Sequence, residues 1–109
     1  MSKQVLSLDY SPITSGHTAL TVDNTAGGVG FTLPTGKVLN DISAVLVTCE
    51  GYQCRYTIDT VAPTTTVGHV LDPGGFLFLA NRTAITNFRS IRTGASSATL
   101  MVTFFGGGR

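Results

Sequence analysis

The stretch Cys54-Arg-Tyr-Thr-Ile-Asp-Thr-Val-Ala-Pro-Thr-Thr-Thr-Val-Gly-His-Val-Leu-Asp-Pro-Gly-Gly-Phe-Leu-Phe78 decides the reading of the fold. From Cys54 to Ile58 the side chains alternate, Cys54, Tyr56 and Ile58 on one face and Arg55 and Thr57 on the other, which is the period of a half-buried strand. Asp72-Pro73-Gly74-Gly75 then fixes φ at the proline and frees it at the glycines, so the chain reverses there. Between them, Thr60 to Thr66 is β-branched and stiffened by Pro63, which predicts an ordered loop. The run Phe76 to Ala80 is apolar at every position and is expected to be almost wholly buried.

Outward from this stretch the same grammar repeats. Val5 to Tyr10 alternates and reads as a first strand, broken at Ser11-Pro12 and Ser15-Gly16. Short strands are predicted at Thr18 to Val22, Phe31 to Leu33, Ala44 to Cys49, Cys54 to Asp59, Phe76 to Ala80, Phe88 to Arg92 and Ala98 to Phe105. Asn81 to Asn87 allows one helical turn and no more. Gly27-Gly28-Val29-Gly30 is followed by Phe31-Thr32-Leu33-Pro34, which cannot open a helix, so a phosphate loop is excluded and a crossing between sheets is expected. About eight strands and no periodic helix give an all-β fold, an antiparallel β-sandwich of jelly-roll type, with a small β-barrel as the alternative. The expected core is Tyr56, Ile58, Phe76, Phe78, Ile91, Leu100 and Val102, and residues 106–109 read as a Gly-rich tail on a single domain of residues 1–105.

Composition narrows the function. The chain has 109 residues, of which only 12% are charged and 42% hydrophobic. That is about half the usual charged share, and an apolar, weakly charged surface suits a subunit of an assembly. A net charge of +1 provides no basic field, so nucleic acid is not an expected partner. No apolar run approaches the ~20 residues that span a bilayer, and Met1-Ser2-Lys3-Gln4 has no signal-peptide core, so cytoplasmic synthesis is expected.

Chemistry-bearing groups are sparse. Cys49 and Cys54 bracket a four-residue loop that reads as a hairpin, compatible with free thiols, a disulfide or a metal site; cytoplasmic synthesis favours thiols. His17 and His69 do not stand at ligand spacing, so a cupin-like metal enzyme lacks its ligands, and no cofactor is expected. A carbohydrate-binding sandwich needs an aromatic platform, and the chain has no Trp. The remaining candidates form an interface: Arg82, Arg89 and Arg92, close in sequence, and Met101 and Phe105 on the outer side of the last strand.

The residues Arg55-Tyr56-Thr57-Ile58-Asp59, Ala62-Pro63-Thr64, Gly68-His69-Val70-Leu71, Pro73-Gly74 and Phe88 to Leu100, with Ile91-Arg92-Thr93-Gly94-Ala95 at their centre, occur in an order similar to that of small virion proteins of tailed bacteriophages. The resemblance covers roughly the C-terminal half. It implies a small β-rich component of the particle, a capsid cement or decoration protein or a neck or tail piece; a receptor-binding piece is the competing reading, and the weakly charged, apolar composition adds the expectation of a homo-oligomer that contacts other virion proteins.

Overall fold

The computed structural model describes residues 10–107, so the expected strand at Val5 to Tyr10 lies outside it but for its last residue. Two antiparallel sheets face each other. The first contains β1 (Tyr10–Val22), β2 (Ala44–Glu50), β5 (Phe76–Leu79) and β7 (Ala98–Gly107), in the order β1-β7-β2-β5. The second contains β3 (Cys54–Thr57), β4 (His69–Leu71) and β6 (Arg89–Arg92), in the order β4-β3-β6. Beyond β6, Val29 forms a single antiparallel bridge to Ser90 and takes the place of an eighth strand.

Counted with Val29, successive strands pass from sheet to sheet except β3 and β4, which pair within the second. In chain order the first sheet runs first, eighth, third, sixth, and the second runs second, seventh, fourth, fifth. This is the two-Greek-key order of a jelly roll, open at its edges and not a closed barrel. The crossing at Gly27 and Gly28 makes the first transfer; both glycines have positive φ, 87° and 82°. A Cβ at Gly28 would lie 2.9 Å from Pro63 Cγ and 3.0 Å from Arg89 Cβ, so only glycine lets the chain pass there.

Other transfers follow from local chemistry. Asp72 to Gly75 closes with Gly75 N–H donating to Asp72 O at 2.8 Å, and the turn is docked on β2 by Gly74 N–H to Cys49 O at 2.8 Å and Cys49 N–H to Gly75 O at 3.0 Å. The helical turn α1 (Arg82–Asn87) is capped by Asn81, whose side-chain oxygen accepts from Ala84 N–H at 3.1 Å. The loop after β3 is held as the sequence predicts: the Arg55 guanidinium donates to Thr65 O (3.1 Å) and Gly68 O (2.6 Å), and the Thr57 hydroxyl to Val61 O.

The core lies between the sheets. Val45, Val47, Leu79, Leu100, Val102 and Phe104 enter from the first sheet, and Cys54, Leu71 and Phe88 from the second side. Phe31 stacks on Phe88 (centroids 4.2 Å apart, planes at 9°) and meets Phe104 edge-on at 6.0 Å. Leu100 and Val102 are fully buried as expected, and Tyr56 and Ile58 pack against the core half-buried.

Several expectations are corrected. Ser11-Pro12 and Ser15-Gly16 do not break the chain into separate strands; they form an irregularity between Pro12 and His17 within one thirteen-residue strand. Phe31 to Leu33 is not a strand, because its rings and side chains fill the sandwich end while only Val29 pairs. His69–Leu71 is a strand, too short to announce itself. Cys49 and Cys54 do not sit on a hairpin within one sheet, since β2 and β3 belong to different sheets. Ile91 is buried but opposes Arg55, on the face turned away from the core. β7 continues through Gly106 and Gly107, paired with Ser11 and Tyr10, so the strand ends later than the expected tail boundary. The largest correction concerns Phe76 and Phe78, which are 71% and 45% exposed. Period two sends Leu77 and Leu79 inward and the phenylalanines outward, and none of the described strands forms a second layer on that side.

Candidate interaction surface

The outward face of the first sheet is assembled row by row from the strand register. Phe76 lies beside Thr48, Met101 and Ala19; Phe78 lies beside Leu46, Thr103 and His17; Ala44, Phe105 and Pro12 make the next row. Glu50, Thr99 and Thr21 close the opposite end. Among these outward residues Glu50 is the one carboxylate, and no lysine or arginine stands among them. The Phe78 and Phe105 rings meet edge to face at 5.9 Å. The result is an apolar surface rich in Phe and Met, the residue types enriched where proteins bury one another.

β5 forms one edge of this sheet and reads Phe-Leu-Phe-Leu. Edges that face water carry charge, proline or a bulge to block pairing with another chain, and β5 has none of these.

The five residues singled out from sequence separate into three places. Met101 and Phe105 share the apolar face. Arg82 stands at one end of it, its guanidinium 3.4 Å from both Asn40 O and Ile42 O, just before β2 begins. Arg89 and Arg92 belong to the other sheet. Arg89 donates to Phe88 O (2.6 Å) and Thr86 O (3.3 Å), and Arg92 lies near Asp23. The three arginines therefore form no single patch, because closeness in sequence is lost when α1 and β6 turn to different layers. Phe76 and Phe78 were missed as surface residues; the signal was present in the unbroken apolar run of an edge strand without gatekeeping charge.

Elsewhere the chemistry is structural. The Cys49 thiol lies 3.2 Å from Tyr52 O and 3.7 Å from Leu71 O, and both cysteines are free and buried. Burial pushes the Cys54 thiol up to about 12 and raises Cys49 as well, so neither provides a nucleophilic thiolate near neutrality. His69 packs its ring against Tyr56 at 5.3 Å. Among the described residues no three His, Cys, Asp or Glu side chains gather where a metal ion could be held. A hollow of about 590 Å³, open to solvent, lies beside Pro12, Lys37, Asp41 and Arg82. No helix among the described residues is long and apolar enough to cross a membrane. No family model matches the chain, and neither the curated proteins nor the solved structures hold a significant match to it.

Proposed function

We propose that this protein is a non-enzymatic structural component of a tailed-phage virion, a capsid decoration or cement protein that works through protein–protein contacts. The observation that carries this reading is the apolar outer face of the first sheet, where Glu50 is the one carboxylate and Phe76 and Phe78 are exposed beside Met101, Phe105 and an edge strand without charge. Such a surface costs solubility unless another protein covers it. The low charge of the chain and the resemblance of its C-terminal half to small virion proteins support the same reading. Jelly rolls are frequent in viral shells but also serve lectins and enzymes, so the fold alone does not carry the function.

The test is occupancy on particles. Particles produced with a tagged copy of the chain should contain it in stoichiometric amount, and Phe76→Ser or Phe105→Ser should fold yet be depleted from them. Absence of the chain from purified particles overturns the proposal, as does normal occupancy by both folded variants.

A further inference from the structure

Two thiols meet inside the sandwich where β2 passes to β3. Cys49 is the last inward residue of β2, and Cys54 opens β3 after the loop 50–53, so one stands in each sheet. The Cys49 side chain crosses the gap between the sheets: its Sγ lies 3.7 Å from the carbonyl oxygen of Leu71, the residue that faces Cys54 in the ladder of β3 and β4. Both backbones are held on two sides. Cys49 pairs with Leu100 and exchanges hydrogen bonds with the turn at Gly74 and Gly75, while Cys54 pairs with Leu71 and Arg92. Burial dominates the ionisation of each thiol, and after burial the strongest influence on each is the other.

We propose that Cys49 and Cys54 are a redox modification site, a thiol pair that a low-molecular-weight disulfide such as oxidised glutathione converts into an intramolecular bridge joining β2 to β3. The exchange takes two steps. The Cys49 thiolate attacks one sulfur of the oxidant, forming a mixed disulfide and releasing one glutathione thiolate. The Cys54 thiolate then attacks Cys49 Sγ and expels the second. Two protein thiols are thereby oxidised and one oxidant disulfide is reduced, and the two protons given up by the cysteines end on the two glutathione thiolates. Cys49 is the point of entry because it borders the loop 50–53, whose residues are all exposed, whereas Cys54 lies in the central strand of its sheet.

Burial sets the conditions. Both cysteines are free thiols in the structure, and the closed fold offers no thiolate near neutrality, so exchange waits for the loop 50–53 to open. In a reducing cytoplasm the pair stays as thiols; in an oxidising medium the bridge closes slowly and persists. Buried thiols also pack simply as small apolar side chains. This pair differs in spanning two sheets, so that a bond between its sulfurs ties together layers that otherwise meet through side-chain packing. The ring it closes is short, from Cys49 to Cys54, which makes the gain in stability modest. The bridge is independent of the virion contacts proposed above.

Intact mass of the full chain tests it. Freshly reduced protein is incubated at pH 8, well below its melting temperature, with millimolar oxidised glutathione and then quenched with iodoacetamide in urea. The wild type should convert within a day to a single-chain species about 2 Da lighter than the reduced chain, with no glutathione and no alkylated cysteine. Cys54→Ser should stop at a glutathione adduct on Cys49, and Cys49→Ser should take up glutathione at least ~10-fold more slowly. The bridged chain should melt higher than the reduced one by about 5 °C. Circular dichroism confirms that the variants fold, and the wild-type mass carries the test if a serine variant does not. A wild type that is still doubly alkylated after a day overturns the proposal, as does one that accumulates a lasting mixed disulfide or bridges only between chains. A bridged chain that melts below the reduced one overturns it too, because the bond would then form only by distorting the two sheets. A Cys49→Ser adduct that forms as fast as that of Cys54→Ser overturns Cys49 as the point of entry.

Discussion

Phe78 and Phe105 meet edge to face, centroids 5.9 Å apart and planes at 70°, although β2 lies between their strands. The reach is possible because Ala44, which faces Phe105 in register, has only a methyl group to offer at that point. Ala44 is fully buried although it lies on the outward face, beside Phe105 in the register.

Graded aromatic substitutions should separate this face from the core. Phe88, fully buried and stacked between Phe31 and Tyr56, should cost about 3–5 kcal/mol as Phe88→Ala. Phe76→Ser, at the more exposed position on β5, should cost only about 0.5 kcal/mol. Urea unfolding of each variant at one low protein concentration provides the comparison. A Phe76→Ser cost close to that of Phe88→Ala would show that Phe76 belongs to the core.

The two positive-φ glycines Gly28 and Gly74 should respond differently to alanine. Both have φ above 80°, which costs an L residue about 1 kcal/mol. At Gly74 the added methyl meets nothing within 4 Å, so that is the whole cost. At Gly28 it meets Pro63 and Arg89 near 3 Å, and the crossing between sheets must shift, raising the loss to about 2–3 kcal/mol. Equal melting temperatures for Gly28→Ala and Gly74→Ala would contradict the close passage described here.

What was legible in the sequence follows from period two. Cys54 to Ile58 and Ala98 to Phe105 alternate cleanly because one side of each is core, and both strands stand where the pattern places them. Phe76 to Leu79 carries apolar residues on both faces, so periodicity could not say that one face is open; that depends on the sheet order, which places β5 at an edge. The same limit separates the candidate residues. Met101 and Phe105 stay together because they are two positions of one strand set four apart, whereas Arg82, Arg89 and Arg92 straddle a helical turn that changes layer. The three-residue strand at His69 and the single bridge at Val29 are specified by their partners, Tyr56 and Ser90, and have no local pattern of their own.

Thr18 presents a stabilising substitution. It opposes Val102 on the inward side of β1, and its buried hydroxyl oxygen makes no hydrogen bond with a protein group. A buried polar atom without a partner carries its desolvation penalty uncompensated. Thr18→Val keeps the shape and the β-branched backbone preference, so it should raise stability by about 1 kcal/mol and the melting temperature by several degrees. A lower urea midpoint in the variant would mean that the hydroxyl has a partner in solution.

The buried thiols predict how stability depends on alkaline pH. In the native state burial raises both, Cys54 to about 12, and it also raises the Tyr56 phenol. In the unfolded chain a thiol titrates near about 8.5 and a phenol near about 10. Below pH 8 both states hold the thiol protons, so the contribution of these groups is flat. Between about 9 and 12 the unfolded chain has released protons that the native chain keeps, and the unfolded state is favoured as pH rises. The urea midpoint should therefore be level from pH 7 to 8 and fall steadily from 9 to 11. Cys54→Ala starts from a lower midpoint because it leaves a small cavity, but its midpoint should fall less steeply over the same interval, with the remaining slope coming from Cys49 and Tyr56. The same burial keeps the thiols from Ellman's reagent, which should titrate neither in the native protein at pH 8 and both after denaturation. Parallel pH slopes for the wild type and Cys54→Ala would assign the alkaline loss to other groups.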